Sequence, residues 1–368
     1  MTTRRACVLV LLALTSCKAD GEHGTAADTS SAAEHEGGAT SSGTTTSTAA
    51  TSDTSTSNVD TTGDGNACND SAEALADCVE AERYADDLEF VTGVRNPASA
   101  HWQEVQDLCA DRLTELGYTV QLFDYGTGID VLGRREGASL PDEIVMVGAH
   151  YDHLPDCNGA DDNATGVAAT LEVARMLAMA ELQRSVVIAC WDEEEDGLVG
   201  SRAFATSAAA DGLDIATYIN FDMIGFYTEE PDSQMVPAGL DIAFPEQYAD
   251  VEADMFRGDF IAVVPNQSAL ATATDFAAQG ERVGLRSVVI DLPAGTENAD
   301  VFADLRRSDH AAFWEQGFPA MMVSDTGELR NDHYHCTNGP DEIADLDQDF
   351  AVGVTRAAVG AAALAAGL

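Results

Sequence analysis

The order of apolar and polar runs in this 368-residue chain predicts an α/β fold, three layers deep (α/β/α), with a central mostly parallel (mixed) sheet. Three observations carry that prediction. From about residue 120 onward, short apolar runs alternate with helical stretches, the pattern of strand–helix crossovers. Runs such as Ile144-Val145-Met146-Val147 lack polar–apolar alternation, as burial on both faces requires. Segments rich in Asp, Glu and His fall where such runs end, and open α/β sheets build their sites at the carboxyl ends of strands.

The amino-terminal residues stand apart from that fold. Arg4 and Arg5 precede an apolar run, residues 6–14, too short to cross a bilayer as a mature helix. Leu14-Thr15-Ser16-Cys17 then brings small residues up to a cysteine. Residues 1–16 resemble a bacterial lipoprotein signal peptide, which implies a lipid on Cys17; an ordinary secretory signal is the alternative. The chain is expected to be exported and held at the cell envelope, on the outer membrane or cell surface, or else secreted. Residues 17–67 are Thr, Ser, Ala, Gly and Asp with almost no large apolar side chain. They cannot bury enough surface to offset their ordering entropy and are expected to form a disordered tether. His23 and His35 are isolated within it.

Residues 68–368 are long enough for one α/β domain. An amphipathic helix is predicted over 71–91, then a break at Asn96-Pro97, then a helix over 98–116 ended by Gly117. Strands are predicted at 120–125, 144–148, 186–191, 216–221, 260–264, 287–290 and 320–323. Helices are predicted at 166–180, 201–210, 267–279, 308–315 and 347–366, the last packed on the sheet rather than in a membrane. Residues 226–260, with Pro231, Pro237 and Pro245, interrupt the alternation; they form either the wall or lid of a pocket or a peripheral insertion.

Composition narrows the partners. Net charge is −46 and Lys18 is the only lysine, so nucleic acid and anionic membrane surfaces are poor partners for the folded body. The body holds Cys68, Cys78, Cys109, Cys157, Cys190 and Cys336, an even set that permits disulfides after export. Cys157 and Cys336 each follow a candidate metal segment, so a bridge between them is expected, whereas Cys190 ends an apolar strand and is expected as a buried thiol. No Cys-x-x-Cys pair exists for a zinc–cysteine site.

Five segments offer metal-binding side chains: His150-Tyr151-Asp152, Asp161-Asp162-Asn163, Glu193-Glu194-Glu195, Asn220-Phe221-Asp222 and Asp332-His333-Tyr334-His335. Four lie just after strand runs and the fifth on a late loop. Divalent cations of hard or borderline character need carboxylate oxygens and imidazole nitrogens gathered from separate loops. The residues alone do not choose among Glu193, Glu194 and Glu195, or between His333 and His335. His153 reads as a surface residue, Trp191 as core, and Asp161 as a structural cap for the helix after Ala164. A serine triad at Ser308-Asp309-His310 is rejected, because neighbours at a helix start cannot supply nucleophile, base and orienter in line.

From about Asn66 onward the chain resembles metallopeptidase family 28, the co-catalytic di-zinc aminopeptidases. The resemblance rests on His150-Tyr151-Asp152-His153, on Gly159-Ala160-Asp161-Asp162-Asn163-Ala164-Thr165-Gly166 and on Glu194-Glu195-Asp196-Gly197-Leu198-Val199-Gly200-Ser201. It continues through Asn220-Phe221-Asp222-Met223-Ile224-Gly225, Arg307-Ser308-Asp309-His310 and Tyr334-His335, in family order. It implies a zinc-exopeptidase-like fold and a di-zinc catalytic domain over 68–368. His150 and Asp222 would hold one Zn2+, Glu195 and His335 the other, with Asp162 bridging. Glu194 would be the general base, Asp152 would orient His150, and His310 would hydrogen-bond in the pocket or sit buried and satisfied. The implied reaction is hydrolysis of the amino-terminal bond of peptide substrates by a water held between the ions, in a chain expected to be monomeric. Alternatives on the same fold are a glutaminyl cyclase or a carboxypeptidase; a non-catalytic surface-binding lipoprotein is the alternative outside enzymes.

Overall fold

A computed structural model describes residues 68–368. The expected signal peptide, Cys17 and the tether lie outside the described residues. The predicted helix over 71–91 is in fact two, α1 (Ala72–Asp77) and α2 (Ala81–Val91). The run breaks because the Cys78 N–H caps α1 and the Glu80 N–H leaves the helical ladder to donate to the Glu172 carboxylate, 2.7 Å away. A Cys68–Cys78 disulfide lies beside the break. Helix α3 (Ala100–Glu115) starts at Ser99, whose hydroxyl accepts the Trp102 N–H, and closes before Gly117 at φ +81°.

The strands are β1 (Thr119–Asp124), β2 (Ile129–Arg135), β3 (Leu140–His150), β4 (Arg184–Trp191), β5 (Asp214–Phe221), β6 (Ile261–Pro265), β7 (Ser287–Val289) and β8 (Ala320–Ser324). Between and after them come α4 (Gly166–Met179), α5 (Val199–Asp211), α6 (Leu240–Ala243), α7 (Pro245–Ala253), α8 (Leu270–Arg282), α9 (His310–Glu315) and α10 (Gln348–Ala365). Strand β2 was not predicted. Asp130, Gly133, Arg134 and Arg135 dilute its apolar pattern, and it exists because antiparallel partners take both its edges, β1 on one side and β4 on the other.

Sheet order is β1-β2-β4-β3-β5-β8-β6-β7. The central block β4-β3-β5-β8 is parallel throughout, and antiparallel pairings flank it at β2–β4 and β6–β8. Alternate residues of the central strands serve two cores. Val145, Val147, Ile188 and Ile219 pack under Leu88, Leu113, Leu171, Phe276 and Val354 of α2, α3, α4, α8 and α10. Ile144, Met146, Trp191 and Tyr218 pack with Phe204, Val251 and Phe313 of α5, α7 and α9. Apolar residues at every position follow from this double burial. Among the described residues no helix is long and apolar enough to cross a membrane.

Candidate metal centre

The site lies at the carboxyl ends of three adjacent central strands. His150 is the last residue of β3, the Glu193–Glu195 loop follows β4, and Asp222 follows β5. Asp162 follows no strand directly; it sits in the tight turn that opens α4. His335 comes from a 3-10 turn, residues Tyr334–Cys336, drawn in by a disulfide between Cys157 and Cys336. Cys109 and Cys190 are free and buried.

Asp162 stands between two sets of donors. Its Oδ1 is 3.4 Å from His150 Nε2, and its Oδ2 is 3.2 Å from His335 Nε2. On one side His150 Nε2 is also 3.8 Å from Asp222 Oδ1. On the other, His335 Nε2 is 3.3 Å from Glu195 Oε2. Two clusters of donors within 4.8 Å of one another result: His150, Glu194 and Asp222, then His153, Asp162 and Glu195.

These residues fit a pair of zinc-like cations. Ligands about 2.0–2.1 Å from a tetrahedral centre stand roughly 3.3 Å apart, close to the separations found on each side of Asp162. Glu195 Oε1 and both His153 ring nitrogens are buried without a well-aligned hydrogen-bond partner, with Oε1 and Nδ1 2.8 Å apart, as donors gathered around a cation would be. Only nitrogen and oxygen donors are present, the set that zinc and its neighbours accept.

Electrostatics follow from burial and crowding. Burial pushes the Glu194 carboxyl well above the usual range, with the His150 imidazole pulling the other way. Burial acts on Asp162 in the same upward sense, but the His150 and His335 imidazoles override it and hold the carboxyl well below the usual range. Burial would lower His335, yet Asp162 and Glu195 lift it to about 10.

The neighbouring residues divide cleanly. Glu193 is buried, and its Oε2 accepts from the Thr127 hydroxyl at 2.6 Å. Asp152 accepts the backbone N–H of Glu194 at 3.0 Å and of Glu195 at 3.2 Å. Its carboxylate is 3.5 Å from His150 Nδ1, which also faces the Asp152 backbone carbonyl at 3.2 Å, so Asp152 holds both the glutamate loop and the His150 ring. Asp161 accepts from the Gly225 N–H and the Asn331 side chain and does not cap α4; the Asn163 side chain accepts the Gly166 N–H instead. His333 turns to Asp345, 3.0 Å away. His310 is buried, donates from Nε2 to the Leu305 carbonyl and meets the Trp314 ring edge-on. Trp191 is core, with its N–H donated to the Tyr218 hydroxyl.

Sequence reasoning missed three residues. His153 is 1 % exposed and faces Glu195, not solvent. Arg95 is fully buried and donates to the carbonyls of Gly93, Asn158, Gly159 and Asp162, holding the turn that carries Asp162. Tyr334 stacks on the His335 ring at 3.7 Å, and its hydroxyl accepts from Arg307. Strand-end position was the available signal for His153, because it lies three residues past a ligand.

A cavity of about 400 Å³ opens beside Asp222 and Tyr334. Its walls include Val236, Leu240 and Val251 from the 226–260 excursion and Val264, Ile290 and Met322 from the sheet region. Arg330 pins the excursion: it donates to Gln234 Oε1 and to the Phe226 and Phe260 carbonyls, and lies over the Phe260 ring. The excursion therefore forms a pocket wall rather than a peripheral insertion.

An α/β sheet whose strand ends gather imidazoles and carboxylates around one shared aspartate defines a class of chains suited to binding divalent metal. The particular family is Peptidase family M28, to which this chain belongs: its sequence profile matches residues 130–361. An Escherichia coli (strain K12) protein, YfbL, is 31% identical over 214 residues, 55% of this chain and 60% of that one. A Mycobacterium tuberculosis protein described as a probable lipoprotein aminopeptidase, LpqL, is 34% identical over 160 residues, 41% of this chain and 31% of that one. The chain thus spans less than two thirds of either relative. The Legionella pneumophila LapA aminopeptidase structure superposes with a TM-score of 0.62 at 15% identity, covering 81% of this chain and 75% of that one, a likeness of fold.

Proposed function

We propose that this chain is an exported zinc exopeptidase that removes the amino-terminal residue of peptides. The observation that carries the reading is the shared Asp162 carboxylate with one oxygen toward His150 and the other toward His335, and Glu194 set beside it. His150, Asp222 and Asp162 would hold one Zn2+, and His335, Glu195 and Asp162 the other. Such ions, when bound, polarise a scissile carbonyl and make a water acidic near neutral pH. Glu194 takes the proton of the attacking water and passes it to the departing amine, a task suited to a buried carboxylate whose affinity for protons is raised. Asp152 keeps Glu194 and Glu195 in register through their backbone N–H groups. The apolar cavity would take the side chain of the amino-terminal residue, favouring bulky apolar ones.

The test is hydrolysis of aminoacyl chromogenic substrates by the full chain, with metal content measured alongside. Expected are two zinc ions per chain, loss of activity with chelator, recovery with zinc, and leucyl substrates cleaved faster than glutamyl ones. Fewer than one zinc per chain with no chelator-sensitive activity would sink the reading. A peptide beginning with glutamine separates residue release from cyclisation, and a peptide with a blocked amino terminus exposes carboxypeptidase action. The name of the Mycobacterium tuberculosis relative supports lipid anchoring, as does the cysteine at 17. A Cys17→Ser chain should leave the membrane fraction; if it stays, the lipid reading fails.

A further inference from the structure

We propose that His153 is a fourth protein donor to the metal position formed by His335, Glu195 and Asp162, which makes that position rich in imidazole. The inference rests on the paired-metal reading above and assigns a ligand beyond it.

The His153 imidazole is an energetic anomaly. His153 is 1 % exposed, and neither ring nitrogen has a hydrogen-bond partner. Leaving a buried polar group unpaired is costly, so folded chains seldom keep one without a reason. The ring is not adrift. The His153 backbone N–H donates to the Arg95 carbonyl at 3.2 Å. Gly159, at φ +57°, packs so tightly on the imidazole that a Cβ there would lie 2.5 Å from its Cδ2. Glycine at 159 is what lets the ring occupy its place.

What the ring faces decides its role. Nδ1 lies 2.8 Å from Glu195 Oε1, but nitrogen and oxygen are out of line for a hydrogen bond, and Oε1 is itself unpartnered. Nδ1 is 3.9 Å from Asp162 Oδ2, and the ring stands nearly edge-on to His335 with centroids 6.0 Å apart. The Glu195 carboxylate thus has one oxygen toward each imidazole. Donors of His153, Asp162 and Glu195 lie within 4.8 Å of one another, and His335 Nε2 approaches Asp162 at 3.2 Å and Glu195 at 3.3 Å. Tetrahedral zinc sets its ligands about 3.3 Å apart, and four protein donors close its shell. The His150 position is formed by His150, Asp222 and the other Asp162 oxygen, with Glu194 in the same donor cluster.

The experiment uses the full chain loaded with zinc. X-ray absorption should find three imidazoles shared by two ions rather than one per ion, and this needs no variant. His153→Gln and His153→Ala should each remove one imidazole and weaken the tighter zinc about 100-fold or more, with the weaker one changed far less. One imidazole per ion in the wild-type chain, or variants that keep both affinities, would overturn the assignment. A wild-type chain that binds fewer than two zinc ions removes the paired reading itself, and the assignment with it.

Discussion

In the proposed function Glu194 and Glu195, neighbours in sequence, have opposite duties, and the backbone is what separates them. Asp152 receives both of their N–H groups, so the two side chains leave one fixed loop in different directions. Replacing Glu194 by Gln should keep both zinc ions and lower kcat by about 10²–10⁴, read by metal analysis beside steady-state kinetics. Unchanged turnover would remove Glu194 from the role of base. His310 gives a second test, on stability. Burial pulls its pKa down to about 4, against about 6.5 unfolded. The unfolded chain therefore takes up a proton first as pH falls. Stability from this residue is intact above pH 6.5 and is lost toward pH 4. Between pH 7 and 4.5 the wild-type chain should lose about 2–3 kcal/mol more than His310→Gln, measured by urea unfolding. Equal losses would show that the buried ring does not stay neutral. At this scale the sequence was legible wherever motif and strand end coincided, as at His150 and Asp222. It was blind to Arg95, because nothing local says that an arginine will be buried among four carbonyls.

Elements were legible where a pattern stood alone and illegible where a partner made them. Strand β3 announces itself by its apolar run, while β2 forms only because β1 and β4 hydrogen-bond to its two edges. The excursion over 226–260 looked irregular because its order comes from Arg330 and from the cavity it walls, not from local periodicity. The Cys157–Cys336 bridge binds the loop after β3 to the turn that carries His335. Bridges that close long loops stabilise by about 2–4 kcal/mol. A Cys157→Ser, Cys336→Ser chain should lose several degrees in Tm and bind the zinc nearest His335 about 10-fold more weakly, by calorimetry. Full retention of both would mean that packing alone positions the turn.

Charge dominates the whole molecule. At −46, with one lysine in the sequence, the chain repels itself at low ionic strength. Tm should rise by several degrees between about 0.02 and 0.5 M NaCl, as screening shortens to a few ångströms. A flat response would show that local ion pairs, such as Arg286 with Asp250, Asp254 and Asp259, already cancel the repulsion.

Strands β4, β3 and β5, which end at the glutamate loop, His150 and Asp222, are inner neighbours in an eight-stranded sheet. Their amides are hydrogen-bonded on both sides and covered by two cores. In exchange with deuterated water they should be the last to yield, opening only with the whole fold. Inactivation by heat then has a geography. It should begin at the His335 turn on the rim, while the floor keeps its shape until the sheet itself parts, so a chain caught between those events should recover on cooling.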